Sequence, residues 1–136
     1  VSAIVHCARG WVGVPWRHLG RSLAGVDCIG LVVLAHRAAG HQVPDPAPYG
    51  RDPDGAALLR GLAEAGARRV PPGQERPGDV AVFRVDGVNG GHVGILAAQD
   101  GVRTVIHAYA PRRRVVEEPL AHELAEALIG AWRMEG

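Results

Sequence analysis

The residues best suited to chemistry are a cysteine and two histidines. Cys28 stands in Gly25-Val26-Asp27-Cys28-Ile29-Gly30-Leu31-Val32-Val33-Leu34, a short polar step into an apolar run that ends at Gly40. The run predicts a helix over 28–39, with Asp27 as its N-cap and Gly40 as its stop. A cysteine in the first turn meets unpaired backbone N–H groups and the positive end of the macrodipole. Both favour a thiolate, and so a nucleophile.

The histidines come from a later region. Asp100-Gly101 is a strong two-residue turn signal between the β-like runs 92–98 and 102–109. With that turn Gln99 pairs with Val102, Gly94 faces His107, and His92 faces Tyr109. His92 and His107 then share one face as diagonal neighbours, about 7–8 Å apart at the backbone. The reverse face, Val93, Ile95, Ala97, Ile106 and Ala108, reads as core. Gly94 opposite His107 and Gly91 before His92 leave room for the rings.

Such a set performs acyl chemistry. A thiolate attacks a carbonyl, one imidazole holds the proton and later gives it to the leaving amine, and a third polar group fixes that imidazole's tautomer. Cys28, His92 and His107 fill these roles in that order, with the Cys28 N–H as an oxyanion donor. One Cys and two His also ligate zinc, but no Cys-x-x-Cys or His-x-x-x-His pair supports a metal site.

The positioning elements follow from the pattern. Ser2 caps a helix through Arg9 with Ala3, Cys7 and Trp11 on one side, which makes Cys7 a core residue. Residues 13–25 form an irregular loop that carries Trp16, Arg17 and His18 towards Cys28 as a binding wall. The helix from Cys28 is apolar nearly all round and is expected to be buried, with His36 as a packing or surface residue. The proline-rich stretch 43–50 runs over the surface. Asp54 caps a helix through about Ala65 whose buried stripe is Leu58, Leu59 and Leu62. Strands are predicted over 79–85, 92–98, 102–109, 115–118 and 128–134, with a short helix over 120–127. His6, His41 and His122 are assigned to ordinary positions. Helices first and an antiparallel meander after them indicate an α+β fold in one domain, 1–136.

Composition narrows the function classes. Of the 136 residues 47% are hydrophobic and 21% charged, as in a globular chain. The formal net charge is +1 and all fifteen basic residues are arginine, so no nucleic-acid partner is expected. Two cysteines are too few for a secreted disulfide scaffold. Neither a signal peptide nor an apolar run of membrane-spanning length is read, so no membrane insertion is expected.

The motifs, taken together, resemble the NlpC-type cell-wall peptidases, papain-like cysteine endopeptidases that cut the peptide stems of bacterial peptidoglycan. The resemblance runs in order through Gly13-Val14-Pro15-Trp16, Asp27-Cys28-Ile29-Gly30-Leu31-Val32, Pro77-Gly78-Asp79-Val80, Gly91-His92-Val93-Gly94-Ile95 and then His107. It implies a papain-like α+β fold, with the nucleophile at the start of a buried helix packed on an antiparallel sheet, and a catalytic Cys28, a base at His92, an orienting His107 and no cofactor. It also implies a γ-D-glutamyl bond to a diamino acid as substrate. Trp16 occupies the place of a family aromatic, commonly tyrosine, and with Arg17, His18 and Asp27 would contact substrate. The run Arg112-Arg113-Arg114 could also meet a stem carboxylate. The Pro-Trp-Arg-His form at 15–18 is similar to the branch found in phages, prophages and gene-transfer particles. That implies action at the cell wall, in the periplasm, with targeting supplied by tail proteins.

Overall fold

The structure, a computed structural model, describes residues 2–134. The first helix, α1 (Ala3–Arg9), begins where the Ser2 hydroxyl accepts from the Val5 N–H, as the sequence predicts. Its buried face is Ile4, Val5 and Ala8. Ala3 is exposed, while Cys7 and Trp11 only flank the core, so the predicted stripe is rotated by about one residue. Two-residue strands β1 (Arg21–Ser22) and β2 (Gly25–Val26) pair inside the expected loop.

Next comes α2 (Cys28–Ala38), buried at Ile29, Leu31, Val32, Val33, Ala35 and His36. Gly40, at φ +98°, follows its C-terminus. The segment to residue 55 has no regular structure and is anchored by the buried Val43. Helix α3 (Ala56–Glu64) buries Leu58 and Leu62, with Leu59 only partly covered. Gly55 is its N-cap rather than Asp54, whose carboxylate instead accepts from the Ala56 N–H two residues on.

The second half of the chain builds a sheet. Strands β3 (Arg68–Arg69), β4 (Val80–Val85), β5 (Val88–Gln99), β6 (Val102–Tyr109), β7 (Arg114–Pro119) and β8 (Leu128–Arg133) lie in the order β3-β8-β4-β5-β6-β7, all antiparallel. Helix α4 (Glu123–Ala127) is shorter than predicted. This α+β arrangement is the predicted one, with β8 returning to pair with β4 on the side away from the meander. Residues Val80, Val82, Val93, Ile95, Ala97, Ile106 and Ala108 share one cluster with α1, α2 and α3. Phe83, Leu96, Val105 and Ala131 form a second, covered by Leu120, Leu124, Ala127 and Leu128. No helix among the described residues is long and apolar enough to cross a membrane.

Two features of the sheet prepare the site. The β5–β6 ladder runs from Gln99–Val102 to Ile95–Ile106, the predicted register, and pairing stops there. The predicted pairings of Gly94 with His107 and of His92 with Tyr109 therefore lie beyond the last ladder pair. On the other side of β5 the register with β4 shifts between Phe83 and Arg84. Gly90, at φ +81°, sits in this irregularity, and a Cβ there would come 2.3 Å from the Asp54 carbonyl oxygen. Only glycine admits so close an approach at that conformation, and it brings residues 51–54 against the strand carrying His92.

Candidate active site

Asp27 sets the start of α2. Its Oδ1 accepts from the Gly30 N–H at 2.8 Å, the capping bond the sequence predicts. The same carboxylate also accepts from the Leu19 N–H at 2.9 Å, from Arg21 Nη1 at 3.0 Å and from the Tyr49 hydroxyl at 2.7 Å. Arg21 in turn grips Asp45 through Nε and Nη2, at 2.9 and 3.1 Å. Loop, helix start and proline-rich segment are thus tied by one arginine and one carboxylate. Gly30 makes this possible, since a Cβ there would lie 2.6 Å from Arg21 Nη1 and 2.8 Å from the Gly20 carbonyl oxygen.

Cys28 follows and is partly exposed in a cleft of about 400 Å³ that it shares with Trp16, Arg51, Pro53, His92 and Tyr109. Its sulfur is crowded enough that burial pushes the thiol up to about 11, although the N–H groups of Val93, Ile29 and Cys28 pull the other way. The charge of Asp27 adds to the upward push. The expected helix-start thiolate is therefore overridden by desolvation, and the resting sulfur carries its proton.

His92 and His107 meet, as the hairpin predicts, and more closely than diagonal pairing requires. His92 Nε2 lies 2.7 Å from His107 Nδ1. Tyr109 stacks on His107 at 4.7 Å and 13°, and its ring lies 5.1 Å from that of His92. Gly94 leaves the space, because a Cβ there would stand 2.8 Å from Val105 Cγ2 and 3.0 Å from His107 Cβ. Burial, with His107 alongside, takes His92 down to about 3. Burial also lowers His107, against the raising effect of Glu118. Both imidazoles are neutral at rest. His92 Nδ1 has no hydrogen-bond partner among the described residues and is left for the cleft that Cys28 also lines.

The remaining expected contacts divide. Trp16 and Asp27 line the cleft, but Asp27 is 4% exposed and its oxygens are taken by protein donors. Arg17 and His18 lie outside the lining. Arg17 packs its Cβ over Gly25, and His18 sets its ring edge-on to Tyr49 at 5.9 Å. That orientation follows from the β1–β2 hairpin, which turns the loop past the helix start. A tyrosine does stand in the cleft wall, but it is Tyr109 from β6. Arg51 and Pro53 also line the cleft, so the end of the proline-rich segment forms one wall.

Sequence reasoning missed Glu118, which accepts from His107 Nε2 at 2.9 Å and from Arg112 Nη2 at 3.1 Å. The signal was a carboxylate in the strand after His107, unusable without the β6–β7 register. No group of three or more His, Cys, Asp or Glu side chains among the described residues is arranged to hold a metal ion.

Three comparisons bear on ancestry. A search of curated proteins gives no match. Among solved structures, the NlpC/p60 domain of the peptidoglycan hydrolase SagA superposes with a TM-score of 0.67 at 23% identity, covering 97% of each chain. An NlpC/P60 family protein from Bacillus cereus gives 0.70 at 22% identity, over 95% of this chain and 38% of that one. RipD from Mycobacterium tuberculosis, a non-catalytic NlpC/p60 domain protein adapted to peptidoglycan binding, gives 0.64 at 16% identity, over 96% and 92%. At these identities the likeness concerns the fold. The chain spans less than half of the Bacillus cereus protein and nearly all of the SagA domain. The sequence profile of the NlpC/P60 family matches residues 13–133, from the loop before Trp16 to the end of β8. With the ordered motifs, the α+β sheet and a cysteine and histidine in one cleft, that match makes the chain a member of the NlpC/P60 family.

Proposed function

We propose that this chain is a single cysteine peptidase domain that cuts the stem peptides of bacterial peptidoglycan. One observation carries the reading: Cys28, at the first turn of α2, shares a cleft with His92, whose far nitrogen is held by His107. The resting pair is neutral, so the thiol proton passes to His92 Nδ1 as the sulfur attacks the substrate carbonyl. The N–H groups of the first turn, less the Gly30 N–H already given to Asp27, face the developing oxyanion. Collapse of the tetrahedral intermediate returns the proton from His92 to the leaving amine and leaves an acyl-enzyme, which water opens.

Within that reading the scissile bond is γ-D-glutamyl to a diamino acid, and the site of action is the cell wall, reached through a phage-tail or tail-like particle. The support is the family membership and, for the tail, the Pro-Trp-Arg-His form at 15–18. The test incubates the protein and Cys28→Ala with intact and amidase-treated muropeptides and identifies products by mass. Stem fragments cut between amino acids, absent with Cys28→Ala, are expected. Whole stems freed from sugar would make it an amidase. No products from several wall types would favour a wall-binding or structural domain, as in RipD.

A further inference from the structure

The hydrogen-bonded chain from the cleft does not end at His107. It passes from His92 Nε2 to His107 Nδ1 at 2.7 Å, from His107 Nε2 to Glu118 Oε2 at 2.9 Å, and from Glu118 Oε1 to Arg112 Nη2 at 3.1 Å. The two outer links, to Glu118, have only one permitted direction. Arg112 donates and cannot accept, and an ionised carboxylate accepts and cannot donate. The Glu118 carboxyl feels burial, which would raise its pKa, but Arg112 and His107 together hold it below the usual carboxylate range.

The hydrogen positions are set inward from Glu118. His107 Nε2 must carry a hydrogen to satisfy Glu118. In the neutral ring Nδ1 is left bare, so the hydrogen between the two rings belongs to His92 Nε2. His92, also neutral, therefore has its lone pair at Nδ1, the nitrogen left for the cleft.

We propose that Glu118, clamped by Arg112, is a positioning residue that fixes the tautomers of both histidines and so places the basic lone pair of His92 on the side of Cys28. The neighbouring Glu117 serves as a contrast. It lies on the other face of β7, where it takes a two-pronged bond from Arg9 at 2.8 and 3.0 Å and one from Thr104 at 2.6 Å, tying α1 to the sheet. Glu118 ties no helix to the sheet; its partners are His107 on the neighbouring strand, already paired with β7 through the backbone, and a largely exposed arginine on the adjoining turn. Turning the His107 ring over about Cβ–Cγ would put Cδ2 and Cε1 where Nδ1 and Nε2 now bond, so the orientation is held by the bonds to His92 and Glu118 themselves. What the His92 lone pair does rests on the peptidase reading, but the tautomer itself does not.

Glu118→Gln tests this with little change of shape. An amide has one acceptor and one donor end, and Arg112 claims the oxygen, which turns the NH₂ group to His107 Nε2. That nitrogen must then accept, the His107 hydrogen moves to Nδ1, and His92 is left with its hydrogen on Nδ1. The readout is long-range ¹H–¹⁵N correlation spectra of protein labelled in its histidine rings, at pH 8. The expected result is His92 protonated at Nε2 in the unaltered protein and mainly at Nδ1 in Glu118→Gln. Adding Arg112→Met frees the amide to present its oxygen and is expected to restore the original tautomer. Wall cleavage by Glu118→Gln is expected to fall by about a hundred-fold or more in kcat with KM little changed, the pattern of a base held in the wrong tautomer. His92 found with Nδ1–H in the unaltered protein, or unchanged in Glu118→Gln, overturns the proposal whatever the activity. Failure of Arg112→Met to restore it overturns the part given to Arg112. Inverted tautomers in a protein that cleaves no wall would leave the proposal standing and remove the peptidase reading instead.

Discussion

His92 and His107 are joined nitrogen to nitrogen at 2.7 Å, across two strands whose backbone pairing has already stopped at Ile95 and Ile106. The side chains thus hold together a part of the sheet that the main chain has released, and the order of their effects follows. On the proposed peptidase mechanism, His92→Ala removes the base and is expected to lower kcat for wall cleavage by about 10²–10⁴-fold. His107→Ala keeps the base but frees its ring, and is expected to cost about ten-fold to a hundred-fold less. Equal losses in steady-state kinetics would put both rings in direct contact with the reacting atoms.

The buried thiol makes a prediction opposite to the sequence expectation. A helix-start thiolate would make Cys28 alkylate quickly at neutral pH, well ahead of Cys7. With the thiol pushed up to about 11, alkylation of Cys28 by iodoacetamide is expected to be slow at pH 7 and to climb about ten-fold per pH unit through pH 9. Mass-spectrometric labelling of the Cys28 peptide measures this. A rate already level at pH 7 would show a preformed thiolate.

Acid should destabilise the fold from just below neutrality. His36 is fully buried, with Nδ1 on the Val32 carbonyl at 2.7 Å and Nε2 without a partner, and burial takes it down to about 4 from an ordinary 6.5. His92, down to about 3, and His107, also lowered, behave alike. Each binds a proton in the unfolded chain first, so stability is complete above about pH 6.5 and is lost as pH falls, by up to about 1.4 kcal/mol per pH unit for each histidine. Urea unfolding at pH 7, 5.5 and 4.5 measures the slope, and His36→Leu is expected to remove one histidine's share. The raised Cys28 thiol works at the other limit, taking stability away above about pH 9.

Loss of either side-chain partner of Asp27 should weaken the helix start. Tyr49→Phe removes one donor and is expected to cost about 1–2 kcal/mol. Arg21→Met leaves the buried carboxylate without its cation and is expected to cost about 2–3 kcal/mol. Thermal or urea unfolding reports both, and the two losses together are expected to fall short of their sum because the groups touch at 2.7 Å.

Gly94→Ala puts a methyl 2.8 Å from Val105 Cγ2 and 3.0 Å from His107 Cβ. The expected cost is about 1–3 kcal/mol in unfolding free energy, with a fall in activity beyond what the folded fraction explains, because the strain lands on His107.

What was legible in the chain was mostly local or carried by a short turn. The Asp27 cap and the Cys28 helix could be read from adjacent residues, and Asp100-Gly101 fixed the register that brings the histidines together. Asp86-Gly87 is the same signal, pairing Val85 with Val88, yet β5 was predicted to begin only at His92. The Gly90-Gly91 step masked the strand's first residues. Glu118 was out of reach because the chain between β6 and β7 makes a 3₁₀ turn and then puts Arg113 at φ +62°, a connection with no simple register rule. The Arg21–Asp27–Tyr49 knot was hidden for another reason: its members lie in a two-residue strand, a helix cap and an irregular segment, where no periodicity announces a contact. The Cys28 thiol was misjudged because helix position is a local property and desolvation is not.

The two-residue turn at Asp100-Gly101 also has a meaning in time. It places His92 and His107 on one hairpin, which can close within microseconds from neighbouring chain, whereas Cys28 reaches them only when α2 docks on the sheet from far earlier in the sequence. The two imidazoles thus come from one local hairpin, whereas the sulfur comes from a helix far off in the chain. A chain still emerging from the ribosome has exposed Cys28 long before either histidine exists, and in that interval it is an ordinary thiol. Docking then takes the sulfur out of water, and that loss of solvent is what pushes the thiol up to about 11.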